Sequence, residues 1–300
     1  MFVSETLVSV RERAAILALL ARHALPWNRL AGAIEEEGSA LSLLRSIDSD
    51  AEQRLFEVEK ASVSLDDLED KVHAWAKEGI DLITVLDQAY PLNLRTVHDR
   101  PPVLFVRGRL LEADQRSVAV VGTRKASEDA LALTRSVVGE LVSADHVIAS
   151  GLAAGIDTAA HTAALDLGAR TVAVIGTGLR HSFPKQNAAL QERLATESAV
   201  ISQFWPGQEP RRWTFPQRNA VMSGFARATV VMEASHTSGA RMQARLALEH
   251  GRPAFLMESL LVHKWAQGFA KRPGAYVVSS GEEVVAHLER LYSADLILSG

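Results

Sequence analysis

Between Val118 and Gly178 the chain repeats one structural unit. Short β-branched, apolar runs at 118–121, 147–149 and 171–175 each end in a small-residue turn: GT, SGLAAG and GTG. A helical pattern fills each of the two intervals between them. Strand, glycine turn, helix, strand is the pattern of a parallel, doubly wound α/β sheet. Its turns fall at the carboxyl ends of the strands, where such sheets bind their ligands.

The flanking sequence extends that sheet and adds a cap. Apolar residues at helical spacing run over 5–23, and shorter helices follow over 27–37 and 40–47, broken near Pro26 and Gly38. Ser64 opens a further helix with Asp67 as its capping-box acid and Gly79 as its stop. The reading is a small all-helical domain over 1–78 and an extended Rossmann-like domain over 79–300. The helical part serves either as a packing or dimerisation cap or as a small nucleic-acid-binding fold, and its mixed charges do not choose. Strands are expected at 80–86, 103–106, 199–202, 228–234, 253–257 and 275–278, and helices at 187–197, over RMQARLALEHG with Gly251 as its cap, at 261–271 and at 282–291. Residues 203–219 read as a long irregular loop rich in proline, arginine and aromatics, followed by a helical pattern through Phe225.

Composition narrows the function. Net charge is −4, so a nucleic-acid site has to be a local basic patch. With no cysteine there are no disulfides, thiolate metal sites or cysteine nucleophiles. No apolar run is long enough for a bilayer, and the N-terminus lacks a signal core, so a soluble cytoplasmic protein is expected. The ten histidines show no metal-like spacing, and no nucleophile–base–orienter trio stands out. Neither catalysis, nor a metal, nor a cofactor is expected.

The turns carry the chemistry. In VVGTR, Gly122 and Thr123 leave a strand and enter a helix, a setting in which backbone N–H groups and the helix dipole suit an anion. Arg124 adds a bidentate phosphate contact. SGLAAGID repeats the arrangement with Ser150, Gly151 and Gly155, and GTG and TSGA extend it into a rim of amide donors. The dinucleotide fingerprint is absent after the first strand, as is a G-K-[ST] P-loop. A phosphoribohydrolase needs PGGxGTxxE, and EASHTSGARMQ does not supply it. Asp157 and His161, four apart, read as a helix cap and a structural hydrogen bond. Lys185 in FPKQN is a phosphate contact or a solvated charge. Arg211, Arg212 and Arg218 interleave with Trp213 and Phe215, as in single-strand binders, although both rings also suit anchoring of a loop. Glu233 either accepts from a base or ribose or holds Arg218.

Taken in order, VAVVGTRKAS, IASGLAAGIDTAAHTAAL, TVAVIGTGLRHSFPKQN, FPQRNAVMSG and VVMEASHTSGARMQARLALEHGR resemble the DprA/Smf family (DNA processing protein A). The resemblance covers about 80–290. It implies an extended Rossmann-like domain that binds single-stranded DNA without turnover, protects incoming strands, loads RecA during natural transformation and works as a homodimer. By motif it implies DNA contacts at Gly122, Thr123 and Arg124, at Ser150, Gly151 and Gly155, at Lys185 and Asn187, at Arg218 and Asn219, and at Ser238 and Gly239.

This chain departs from the family pattern. Ala154 replaces an arginine, Ala220 stands where RNRIIAG has a basic group, SGARMQA replaces SGSLITA, and MESLL replaces a Pro-Gly. No winged-helix segment follows residue 292. The loss of two basic groups leaves open a second reading, a divergent module that holds a nucleotide-derived small ligand in signalling or defence.

Overall fold

The computed structural model describes residues 8–53, 64–235 and 238–298. The expected start of the first helix at residue 5 and positions 236–237 of the last turn lie outside the described residues. Four helices come first: α1 (Val10–Ala21), α2 (Trp27–Glu37), α3 (Ala40–Gln53) and α4 (Leu65–Lys77). There follow β1 (Asp81–Thr84), α5 (Leu92–Arg95), β2 (Val103–Gly108), β3 (Ser117–Val121), α6 (Glu128–Ser143), β4 (Val147–Ser150), α7 (Ile156–Asp166), β5 (Thr171–Val174), α8 (Ala188–Glu197) and β6 (Ala199–Ser202). The chain closes with α9 (Thr214–Phe225), β7 (Ala228–Val231), α10 (Gly239–Glu249), β8 (Ala254–Met257), α11 (Lys264–Phe269), β9 (Ala275–Val278) and α12 (Gly281–Leu298).

Among the described residues all nine strands join one sheet in the order β1-β2-β6-β5-β4-β3-β7-β8-β9. From β6 to β9 every pairing is parallel, and β1 and β2 add an antiparallel edge. Val118 of β3 pairs with Ile148 on one side and Ala228 on the other. Every residue of β3 to β8 is buried. Helices cover both faces of such a sheet, which is why these strands read as continuous apolar runs.

The helical cap shares this core. Residues 14–20 of α1 are buried without interruption, and the apolar cluster continues from there into the sheet. Trp75 of α4 meets Phe105 of β2 edge-on at 5.2 Å and Trp205 at 5.7 Å. Arg13 donates to Asp87 at 2.7 Å, and Glu35 accepts from both Arg95 and Arg100. α1 thus packs against α3 and α4, and α4 lies on the β1–β2 edge of the sheet. Among the described residues no helix is long and apolar enough to cross a membrane.

One sequence expectation needs correction. Residues 203–219 are not irregular throughout, because α9 starts at Thr214. Pro216 falls in the first turn of α9, where a missing N–H breaks no intrahelical bond. The strand expected at 228–234 ends at Val231, and the last helix runs to Leu298.

Candidate functional site

β3 lies at the point where the strand order reverses, with β4 on one side and β7 on the other. The chain leaves these strands in diverging directions and opens a crevice beyond their carboxyl ends. The crevice measures about 460 Å³ and is lined by Gly122, Thr123, Arg124, Phe215, Arg218, Asn219, Ser238 and Gly239 among others. Beside it lies a smaller hollow of about 70 Å³ bounded by Arg124, Gly151, Ala154, Phe183, Phe215 and Arg218. Three of the five expected motifs therefore converge on the crevice. Ser150, Gly155, Lys185 and Asn187 do not line it.

The amide rim is a correction. Thr123 N–H donates to the Glu233 carbonyl at 2.7 Å, and Gly178 N–H donates to the Gln208 carbonyl at 2.8 Å. The amides of Gly151 and Ala153 both donate to the Asp157 carboxylate, at 3.1 and 3.3 Å. These donors already have internal partners. Gly155 serves packing: at φ +79° its α-carbon backs onto the carbonyl of Thr123, which a side chain would strike at 2.4 Å. Much of the expected rim is therefore turned inward, and the crevice presents side chains to a ligand as well.

Those side chains form a cationic, aromatic edge. Arg124 is exposed, with its guanidinium 5.5 Å from the Phe215 ring centre. Phe183, 38% exposed, lies 5.5 Å from the same ring. Lys185 is exposed on the short 3-10 turn that follows Pro184, which lines the small hollow. Trp213 is 53% exposed and rests edge-on against Phe204. Arg211 pairs with Glu209, and Arg212 faces solvent. Sequence reasoning missed Phe183, Lys125 and Gln243, all at this site. Phe183 and Lys125 stand beside residues already chosen. Gln243 follows Gly239 by one helical turn, and that spacing was the available signal.

Several predicted ligands turn out to be struts. Arg218 is buried, and its Nη1 donates to the carbonyls of Gly151 at 2.6 Å and Val174 at 2.9 Å. Burial lowers its pKa, and the Asp157 carboxylate opposes that shift. Burial likewise raises the Asp157 carboxyl, with Arg218 pulling it back. His161 is buried against Thr171 Oγ1 at 2.7 Å, and desolvation lowers its pKa to about 3, so the imidazole is neutral. Asn187 donates to Leu152 O and Thr158 Oγ1, both at 2.9 Å, and Ser150 Oγ donates to Val120 O. Asn219 is buried but borders the crevice. Ser238 caps α10 by accepting from Ala240 N–H.

Glu233 does not hold Arg218. Its carboxylate accepts from Ser127 N–H at 2.9 Å and so fixes the loop that carries Arg124. Ser127 in turn caps α6 through Ala130 N–H. Ser127→Ala is expected to cost about 1 kcal/mol, read as a lower urea midpoint with an unchanged slope.

Fold and site together define an extended Rossmann-like α/β protein with a cationic, aromatic-edged crevice at the switch point of its sheet. Residues 81–289 match the family model for DNA recombination-mediator protein A, and the chain belongs to that family. It is 38% identical over 208 residues to the DNA processing protein DprA of Streptococcus pneumoniae, covering 69% of this chain and 73% of that protein. The X-ray structure of DprA from Streptococcus pneumoniae matches with a TM-score of 0.73 at 29% identity, over 93% of this chain and 98% of that one. DNA processing protein A of Helicobacter pylori, which has a unique single-stranded DNA binding mode, matches at 0.62 and 22% identity, over 70% of this chain and 96% of that one. That last likeness bears on the fold alone.

Proposed function

We propose that this chain binds single-stranded DNA across the switch-point crevice, shelters it and hands it to a RecA-type recombinase in the cytoplasm, as a homodimer and without chemical turnover. The observation that carries the reading is the Arg124–Phe215–Phe183 cluster, an exposed cation on one of two adjacent rings. A single strand needs both parts: positive charge for its phosphates and ring faces for its bases, the latter worth roughly 1–3 kcal/mol per base. Membership in a recombination-mediator family supports the recombinase part. The pair Asp157 and His161 supports binding over catalysis, because the Asp157 carboxylate is taken by two backbone amides and the His161 ring is fully buried.

Ala154 borders the small hollow together with Arg124, Phe183 and Phe215. An arginine there adds a phosphate contact beside the existing one. Ala154→Arg is expected to tighten binding of a fluorescent oligo-dT roughly threefold to tenfold at low salt, and to steepen its log–log salt dependence by about 0.7. Titrations at two salt concentrations measure both.

The crevice volume of about 460 Å³ also suits a single nucleotide, which favours the second reading, a nucleotide-derived ligand. A thermal-shift screen separates the two. Stabilisation by one nucleotide, with no binding of oligo-dT in the titration, replaces the first reading with the second.

A further inference from the structure

The crevice occupies the carboxyl end of the sheet. Helix α10 starts there at Gly239 and runs to the opposite end, where His250 follows it. At that end His250 meets His98 and Asp99, from the connection between α5 and β2. One ligand atom from each lies within 4.8 Å of the other two.

The His250 side chain has no exposed surface, and its Nδ1 sits 3.0 Å from Ser223 Oγ of α9. Its Nε2 stands 2.8 Å from Asp99 Oδ1. That oxygen lies off the direction in which a ring N–H points, and both atoms are buried without a hydrogen-bond partner. Two desolvated polar atoms in contact, with no proton well placed between them, are costly. A cation held by both removes the cost. The Nδ1–Ser223 contact is the second half of the same arrangement. An imidazole that gives Nδ1–H to a neighbour presents a bare Nε2 in a fixed direction, as metal-bound histidines do. The exposed His98 ring lies 5.6 Å from that of His250, centre to centre, which places a third ligand beside the pair.

We propose that His98, Asp99 and His250 bind one divalent transition-metal ion and that Ser223 orients His250. Two imidazoles and a carboxylate match zinc best, leaving a fourth position for water. The ligands come from segments 151 residues apart, so the ion clamps the α5–β2 connection to the end of α10.

The test uses the full chain, stripped with a chelator, dialysed and titrated with Zn²⁺ by calorimetry, with Co²⁺ as an absorbing probe. The expected result is one tight Zn²⁺ per chain, a higher melting temperature, and Co²⁺ absorption of a nitrogen–oxygen site. His98→Ala and Asp99→Asn are each expected to weaken Zn²⁺ binding by at least about tenfold, and Ser223→Ala to weaken it less. Because His98 is exposed, the metal-free His98→Ala chain keeps the wild-type melting temperature, which separates lost binding from lost folding. Absence of Zn²⁺ binding overturns the proposal, as does equal affinity in the His98→Ala/Asp99→Asn double variant, which means an adventitious ion only.

Discussion

Arg124→Ala combined with Lys185→Ala is expected to weaken oligo-dT binding about fiftyfold at moderate salt. A charge-assisted contact to a phosphate contributes about 1.5–3 kcal/mol when well formed, and less on an open surface, so two such losses total somewhat over 2 kcal/mol. The salt dependence carries the sharper signature. Each phosphate neutralised on a single strand adds about 0.7 to the slope of log affinity against log salt, so the double variant should lose about 1.4 of that slope. Both side chains are exposed, so the fold should tolerate the change. The chain is acidic overall at −4, so no diffuse positive field replaces the two cations. An unchanged affinity rejects this surface as the DNA site. Arg218 would make a poor substitute in this experiment. It is buried and bonded to two carbonyls, so removing it confounds binding with stability.

The sheet was legible because its physics is local. Each central strand is a β-branched run buried on both faces, and each ends at a small-residue turn, so position and type both show in the sequence. Side-chain direction was not legible in the same way. Arg218 looked like a surface cation because it stands in the stretch read as an irregular loop, whereas α9 begins at Thr214 and turns Arg218 inward. Asn187 and Ser150 sit in the correct motifs, but their polar atoms tie one turn to the next. The amide rim failed for a related reason. Glycine turns advertise donors, but Asp157, only six residues beyond Gly151, takes two of them, and sequence spacing does not reveal which acceptor wins. The aromatic half of the site was partly visible. Phe215 was named, whereas Phe183 joins it only through the packing of the loop after β5 against the first turn of α9. The same limit hid the His98–Asp99–His250 cluster, whose members are brought together only by the crossing of α10 over the sheet.

Gly151→Ala tests the buried half of the site and should have the largest effect on stability. A β-carbon at this position would stand 1.7 Å from Arg218 Nη1 and 2.5 Å from its Cζ, so the guanidinium has to leave. Departure strips the carbonyls of Gly151 and Val174 of their donor and takes a positive charge away from the buried Asp157 carboxylate. Breaking a buried charge arrangement from one side costs about 3–5 kcal/mol. Denaturant unfolding should show that loss as a lower midpoint at constant slope. Gly139→Ala is the matched control: it lies within α6 with no heavy atom within 4 Å of the added carbon, and it should be neutral or gain up to about 1 kcal/mol. The cause is isolated by repeating Gly151→Ala in an Arg218→Ala background. If the guanidinium is the obstacle, the cost of the added methyl falls below about 1 kcal/mol there, and the double-mutant cycle gives a coupling of several kcal/mol. A cost that stays the same in both backgrounds would place the strain in the backbone of the turn and remove Arg218 from the account.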